Sequence, residues 1–313
     1  MTAVPARKVT NPAQFGRVGL LVGGASAERE VSLDGGRAVL AALERMQIEV
    51  EMFDGSPALF MAINEGRIDR VFNLVHGPGG EDGTIQGALQ LMDVPVTGSG
   101  LLGSALSMDK VHSKWVWERR GISTPPFSLF KQDEQVPDGI IEKWGLPLFV
   151  KPAGLGSSIG ITRVEQADEL PAAVKLANKY SETIIVEPEV KGSEYFAGIV
   201  GEVVLPLIRI ETPNKFYDYE AKYESDDTQY FCPCGLPEDL EVKLKALSLE
   251  AFESLDCSGW GRVDFILDDK GKAWFLEANT TPGMTSHSLV PQAAAQMGID
   301  FDELVWRILE SSL

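Results

Sequence analysis

The clearest alternation of apolar and polar positions lies near the C-terminal end of the chain. Two apolar runs flank the polar, glycine-ended segment 268–271, a pattern that predicts a β-hairpin. Pairing of Leu267 with Lys272 would place Val263 and Phe265 opposite Leu276 and Trp274 on one face. Because side chains two apart on a strand share a face, four polar side chains should line the other: Arg262, Asp264, Glu277 and Asn279.

This polar row has two interpretations. Carboxylate and amide oxygens are hard ligands that suit a magnesium ion which also holds phosphates. The alternative is a surface hairpin with an ordinary salt bridge. The loop 280–285 that follows the second strand can offer backbone N–H groups to an anion.

The N-terminal third alternates strand and helix patterns. Apolar runs at 18–22, 50–53 and 70–75 are separated by helical periodicity, which predicts a parallel sheet. In such sheets, ligands bind beyond the carboxyl ends of the strands. Glu28 and His76 follow two of these ends, so they should share a rim, although a lone histidine is equally compatible with a structural role.

A glycine- and serine-rich loop, residues 152–160, connects two predicted strands at 146–151 and 161–164. Backbone N–H groups and hydroxyls in such a loop can close over phosphates. An ordinary hairpin loop is the alternative, and Lys151 at its base favours a phosphate flap.

A long helix is predicted over 101–120, and prolines at 125–126 indicate a domain boundary. The segment 215–227 is polar, aromatic and aperiodic, which is typical of a functional lid. A further helix is predicted over 239–255.

Composition narrows the function. The chain has 313 residues, is 44% hydrophobic, and carries a formal net charge of -18, which argues against a nucleic-acid partner. Three cysteines form neither a disulfide framework nor a metal quartet and indicate a reducing cytoplasm. Residues 1–16 are predicted to be a flexible leader, and no apolar run is long enough to span a membrane.

Three familiar motifs fail in their context. The segment 98–103 matches the dinucleotide fingerprint but lacks the following strand with an acidic end. The segment 156–160 matches a nucleophile elbow, yet an extended run rather than a helix follows it. A P-loop is excluded because no Gly-Lys-Ser/Thr ending occurs.

Five blocks in this order resemble the D-alanine:D-alanine ligases of the ATP-grasp superfamily, and the match covers nearly all of the chain after about residue 16. The blocks are 23–32, 76–83, 107–110, 216–223 and 277–285.

The resemblance implies an α/β fold, α+β in the C-terminal two-thirds, with three domains. These are an N-terminal Rossmann-like substrate domain (17–109), a central ATP-grasp domain with the phosphate flap (110–194) and a C-terminal ATP-grasp domain with the lid and metal site (195–313). It implies ATP-dependent joining of two D-alanines for peptidoglycan, in the cytoplasm, by a homodimer, without a nucleic-acid or membrane partner.

The resemblance also implies roles at the nucleotide. Two Mg²⁺ or Mn²⁺ ions would be held by Asp264, Glu277 and Asn279. ATP would be bound by Lys110, Lys151 and Lys222 at the phosphates, by Ser157 and Ser158 in the flap, and by Glu187 and Glu194 at the adenine amino group and the ribose.

For the amino acids, the resemblance implies that Glu28 holds the first ammonium group, linked through Ser157 to Tyr223. Arg262 and the Gly283 backbone N–H resemble an oxyanion hole. Contacts with the D-alanines are further expected from His76, Ser288 and Leu289.

In this family a tyrosine at position 223 accompanies an amine as second substrate, which favours the dipeptide. Two departures concern the nucleotide: the flap is rich in glycine, and Pro188 has no N–H to donate. The alternatives are another ATP-grasp ligase with a different acceptor, a silent nucleotide-binding module and, last, a dehydrogenase.

Overall fold

The computed structural model describes residues 6–132, 134, 136–137, 139–156, 158–213, 227–285 and 287–313. Its strands are β1 Val18–Val22, β2 Val50–Asp54, β3 Arg70–Asn73, β4 Ser128–Lys131, β5 Leu148–Pro152, β6 Thr162–Val164, β7 Thr183–Pro188, β8 Gly192–Val200, β9 Val203–Val204, β10 Ile208–Glu211, β11 Gln229–Phe231, β12 Trp260–Asp268 and β13 Ala273–Asn279.

The helices run between these strands and after them. They are α1 Arg29–Arg45, α2 Ser56–Asn64, α3 Thr84–Leu91, α4 Leu101–Met108, α5 Lys110–Arg120, α6 Gly139–Trp144, α7 Leu170–Ala177, α8 Glu238–Ser254, α9 Leu289–Gln296 and α10 Phe301–Leu309. None of the helices in the described ranges is long and apolar enough to cross a membrane.

Three sheets organise the chain. The first is parallel, as the apolar runs predicted, and its strand order is β2-β1-β3. The second is antiparallel, β4-β7-β5-β6, and the third is antiparallel, β11-β10-β8-β12-β13, with β9 paired to β8. The predicted domain division after residue 194 falls inside β8.

The predicted hairpin is present, but its predicted register is wrong. Leu267 pairs with Ala273 instead of Lys272. The Asp268 N–H donates to Lys272 O at 3.0 Å, so the turn itself is the segment 269–271, in which Gly271 adopts a φ of +78°. Such a φ suits glycine, which has no side chain to clash.

A β-bulge lies further along this hairpin. Asp264 pairs with Glu277 and the next residue, Phe265, pairs with Phe275, so Leu276 is the extra residue. Leu276 lines a cleft and Phe275 is buried in the core, the reverse of the prediction. Beyond the bulge, Arg262 pairs with Asn279, and the predicted polar face is restored.

The long helix predicted over 101–120 is two helices. Asp109 is extended (φ -91°, ψ 105°), and its Oδ1 accepts the N–H groups of Val111 at 2.8 Å and His112 at 3.1 Å. An aspartate that satisfies the free N–H groups of a first turn starts a new helix. Lys110 is therefore the first residue of α5, where it reaches the cleft.

Residues 6–16, the described part of the predicted leader, are mostly exposed but contact the C-terminal helices through Arg7, Val9 and Phe15. Phe15 is fully buried, with its ring edge-on to Trp306 at 4.9 Å between centroids. Arg7 pairs with Glu303 and lies over the Trp306 ring, and Val9 N–H donates to Glu310 at 3.1 Å. One hydrophobic core therefore joins this segment, the parallel sheet and the last helices.

Candidate active site

A cleft opens between the second and third sheets, with an empty volume of about 690 Å³ including its mouth. Charged residues and apolar residues line it together. They are Lys110, Pro125, Phe149, Lys151, Ser158, Ile161, Glu187, Pro188, Val190, Glu194, Asp264, Ile266, Leu276 and Glu277.

At one end of the cleft, charges alternate across short distances. Lys110 Nζ lies 3.0 Å from Glu277 Oε2 and donates to Leu155 O at 2.6 Å. Arg262 donates from Nε and Nη2 to the two oxygens of Asp264, both at 2.7 Å. Asp264 and Glu277 are direct cross-strand partners, so two carboxylates and two cations occupy one patch.

Glu187 carries a second charge cluster deeper in the cleft. Its Oε2 lies 2.8 Å from Lys114 Nζ, and its Oε1 pairs with Lys151. Burial alone would raise the pKa of this carboxyl, but attraction to Lys114 and then Lys151 outweighs it and holds the pKa at about 2. Glu187 is therefore ionised at neutral pH.

A third cluster lies past the ends of the parallel strands and contains Glu28 and His76, as the sequence predicted. Glu28 is the N-cap residue of α1 and is 9% exposed, and His76 is 5% exposed. Burial lowers the pKa of His76, Glu28 and a backbone hydrogen bond with Thr281 oppose this, and Arg262 adds to the lowering. The imidazole is therefore neutral at neutral pH.

Glu81 completes the third cluster. Its Oε2 accepts the Gly77 N–H at 2.5 Å. Burial and the charge of Glu28 raise the pKa of Glu81 to about 8, although hydrogen bonds from Gly77 and Thr281 and the charge of Arg262 oppose the shift. At neutral pH this carboxyl holds a proton.

The loop after β13 reaches the same cluster. A Cβ on Gly283 would lie 2.8 Å from Ser288 Oγ and 3.9 Å from Val31 of α1, so the loop is packed between these groups. Ser288 Oγ also accepts the Thr285 N–H at 3.0 Å. Leu289, the first residue of α9, is 7% exposed and belongs to the main core.

The flap approaches Glu28. A Cβ on Gly156 would lie 3.9 Å from Glu28 Oε2, and Ser158, which lines the cleft, has a φ of +59°. Glu194 lines the cleft from β8 beside Ile266. Three predicted site residues lie outside the described residues: Ser157, Lys222 and Tyr223.

The motifs set aside in the sequence have other surroundings here. A Cβ on Gly103 would lie 2.3 Å from Asp256 O, so this glycine permits close packing of α4. The segment after Ser158 leads into strand β6, which is incompatible with a nucleophile elbow.

Sequence reasoning missed two residues. Lys114 lies one helical turn after Lys110, and that i,i+4 spacing places both on the cleft side of α5. Glu81 lies five residues after His76, within the block 76–83 that resembles the family, but the sequence analysis assigned it no role. Neither signal alone distinguishes such a residue from an exposed one.

Known proteins are similar to this chain in sequence and in fold. The family described as D-ala D-ala ligase C-terminus matches residues 116–310, and D-ala D-ala ligase N-terminus matches residues 56–99. The D-alanine--D-alanine ligase of Dechloromonas aromatica is 51% identical over 296 residues, covering 95% of this chain and 97% of the relative. The chain belongs to the D-alanine–D-alanine ligase family. This confirms the family and the ATP-grasp fold that the sequence blocks indicated.

Solved structures of the family superpose closely. The Bacillus anthracis D-alanine--D-alanine ligase complexed with ATP has a TM-score of 0.83 at 31% identity, covering 95% of this chain and 97% of its own. The VanG D-Ala:D-Ser ligase of Enterococcus faecalis has a TM-score of 0.82 at 29% identity, covering 95% and 99%. The family fold therefore accompanies more than one second substrate.

Proposed function

We propose that the chain joins two D-alanines into D-alanyl-D-alanine for peptidoglycan synthesis and converts ATP to ADP and phosphate. The position of Arg262 carries this proposal. Arg262 binds Asp264 in the nucleotide cleft and also acts electrostatically on His76 and Glu81 in the buried cluster. A residue so placed connects a phosphate site with an amino-acid site.

ATP lies in the cleft between the two antiparallel sheets. Lys110 and Lys151 bind the phosphates, with Ser157, Ser158 and Lys222 closing over them. Glu187 accepts the adenine amino group and Glu194 binds the ribose. This orientation is supported by the ionised state of Glu187 and by the apolar side chains beside it in the cleft.

We propose two magnesium or manganese ions at Asp264, Glu277 and Asn279. The donor set fits, since two carboxylates and an amide supply hard oxygens, while phosphates and water complete the coordination. Among the described residues, no three His, Cys, Asp or Glu side chains form a metal group by themselves, so this site depends on the nucleotide. Bound ions would neutralise charge on the transferred phosphoryl group.

The first step makes a leaving group. A carboxylate oxygen of the first D-alanine attacks the γ-phosphorus, the bond to ADP breaks, and D-alanyl phosphate forms. Such a transfer needs alignment and charge neutralisation more than covalent help. Glu28 holds the ammonium of this D-alanine, and neutral His76 lies beside it without adding a repelling charge.

In the second step, the amine of the second D-alanine attacks the acyl carbon, phosphate leaves, and the amine loses a proton. Arg262 and the Gly283 N–H stabilise the oxyanion. Ser288 and Leu289 border the carboxylate of the second D-alanine, and Tyr223 favours an amine. The lid predicted at 215–227 lies outside the described residues except for Asp227; a lid over the site would exclude water that would hydrolyse the acyl phosphate.

Phosphate release from ATP with magnesium tests the function, with D-alanine, L-alanine, D-lactate, D-serine or no amino acid supplied, and products identified by mass. We expect turnover with D-alanine and a D-alanyl-D-alanine product. Binding of ATP without turnover on D-alanine would overturn the proposal in favour of a silent module. A mixed product formed only with D-serine or D-lactate would indicate a different acceptor.

We also propose a cytoplasmic homodimer, since ATP is a cytoplasmic substrate and family resemblance supports a dimer. Light scattering coupled to gel filtration measures the mass in solution. A monomer at the concentration used for the assay would contradict this assembly.

A further inference from the structure

Lys114 is one of the most deeply buried charged residues in the described part of the protein, at 2% exposure. Its Nζ lies 2.8 Å from Glu187 Oε2, 2.8 Å from Thr124 Oγ1 and 3.0 Å from Pro125 O. Thr124 Oγ1 and Pro125 O accept hydrogen bonds from this ammonium group, and Glu187 forms an ion pair with it. Burial lowers the pKa of Lys114, and the charge of Glu187 opposes that shift, so each group of the pair favours the ionised form of the other.

Apolar side chains line the cleft together with Glu187. Ile266 and Leu276 lie on the third sheet, Phe149 pairs with Glu187 on the second, and Ile161 directly precedes β6. Such walls suit a flat apolar group. The Asp264 and Glu277 patch lines the same cleft and bears the charges suited to phosphates and metal. A nucleotide bound this way places its base beside Glu187.

We propose that Lys114 is a positioning residue that sets the base preference of the nucleotide site. Its ammonium group holds Glu187 as an ionised acceptor, which favours a purine with a 6-amino group over one with a 6-oxo group. The inference rests on the proposed function in that a nucleotide occupies the cleft with its base at Glu187.

The physical argument depends on two lysines sharing one carboxylate. Lys151 also pairs with Glu187, but its side chain is 13% exposed and it lies at the base of the flap, where phosphates bind. When Lys151 turns to a phosphate, Lys114 alone keeps Glu187 charged. A carboxylate has about four lone-pair sites, so it can still accept a hydrogen bond from an amino group.

Without Lys114, a buried Glu187 would favour its protonated form. A protonated carboxyl donates a hydrogen bond, and a 6-oxo purine offers an acceptor at that position. The charged form repels the same oxo group. Removal of Lys114 should therefore change which base is preferred, in addition to how tightly any nucleotide binds.

The experiment measures the dissociation constants of ADP and of inosine diphosphate by calorimetry, on the full chain with magnesium. We expect the unaltered protein to favour ADP. The preference ratio is the dissociation constant of inosine diphosphate divided by that of ADP. In Lys114→Met and Lys114→Gln this ratio should fall roughly tenfold, which corresponds to the loss of one charge-assisted hydrogen bond. Lys114→Gln retains polar contacts and serves if Lys114→Met does not fold.

Two further variants separate charge from structure. Thr124→Val removes a hydroxyl that holds Lys114 but leaves the ammonium in place, so the ratio should stay within about twofold. Glu187→Gln should lower the ratio as Lys114→Met does, because the amide can also donate. Adding Lys114→Met to Glu187→Gln should lower it no further, as expected for two residues that act through one contact.

An unchanged ratio in folded Lys114 variants overturns the inference, and so does an equal fall in Thr124→Val. Both results are independent of ligase turnover. If D-alanine is not ligated but the ratio falls, the proposed reaction fails and the base-preference role stands. If D-alanine is ligated and the ratio does not fall, the reverse holds.

Discussion

Two buried glutamates of this protein differ in charge. Glu187, in the cleft between the second and third sheets, is 2% exposed, and Glu81, in the cluster with Glu28 and His76, is 8% exposed, so burial is similar. Yet the pKa is about 2 for Glu187 and about 8 for Glu81. Desolvation has the same direction at both sites, and neighbours determine the outcome.

The charges that lie nearest to the two glutamates have opposite signs. Glu187 touches two lysines, whereas Glu81 feels the like charge of Glu28 and has backbone N–H donors and the more remote Arg262 on the opposing side. In the proposed function, Glu187 would be a fixed hydrogen-bond acceptor for the nucleotide, and Glu81 would lie beside the ammonium site without adding a second full charge to that of Glu28. The same residue type thus supplies an ion in one region and a neutral acid in the other.

The largest expected effect is the loss of stability when the ionised carboxylate of Glu187 is removed. Glu187→Gln leaves Lys114 buried without its carboxylate, so the free energy of unfolding should fall by about 3–5 kcal/mol. At pH 5, where little of the pH-dependent loss has set in, Glu81→Gln replaces a protonated acid with a neutral amide that can still accept the Gly77 N–H, and the change should stay within about 1 kcal/mol. Urea unfolding measures both, and equal losses would contradict the assigned charges.

A second prediction concerns Arg262, the residue shared by the two regions. Arg262→Met should reduce ligase turnover by about 10²–10³, the usual cost of losing one oxyanion donor. Arg209→Met is a matched control, because Arg209 also pairs with a carboxylate two residues on and lies over a phenylalanine ring in the same sheet. Steady-state kinetics measures ligase turnover in both variants. A similar loss of turnover in Arg209→Met and Arg262→Met would show that Arg262 has no specific role in the mechanism.

The smallest expected effect, per pH unit, is the change in stability with pH that is due to Glu81. Unfolded Glu81 titrates near 4.5, and in the folded protein its pKa is about 8, so between these values the folded state binds more protons. The stability that Glu81 contributes is present in full below 4.5 and is lost as pH rises toward 8.

Glu81→Gln should therefore flatten the fall in the free energy of unfolding between pH 5 and 8, by up to about 1.4 kcal/mol per pH unit. Urea titrations at several pH values measure the slope. Glu142→Gln on α6, an exposed position, is the control and should leave the slope unchanged. A wild-type slope in Glu81→Gln would show that Glu81 is ionised in the folded protein.

Much of the fold follows from local patterns. The apolar runs predicted β1, β2 and β3, and alternation with period two predicted that Arg262, Asp264, Glu277 and Asn279 share a face. Position 109 was predicted inside a helix, although an aspartate there is a known helix-start signal. These features depend on residues a few positions apart, which is why the sequence carries them.

The register of the hairpin could not be predicted from the local pattern alone. A tighter turn and one extra residue at Leu276 shifted the pairing, and packing of Phe275 in the core accompanies that shift. The contacts of residues 6–16 also depend on tertiary packing, since their partners Trp306 and Glu303 lie almost 300 positions away. Nothing near these residues in the chain indicates such contacts.

By itself the sequence determined the family, the three strands of the parallel sheet, the C-terminal hairpin, and most of the polar residues that meet in the cleft. Only the tertiary structure decided that Lys114 faces Glu187 from another element and that Glu81 lies near Glu28. The reason is that a side chain's charge state depends on desolvation and on charges within several ångströms, and folding brings these together from distant parts of the chain.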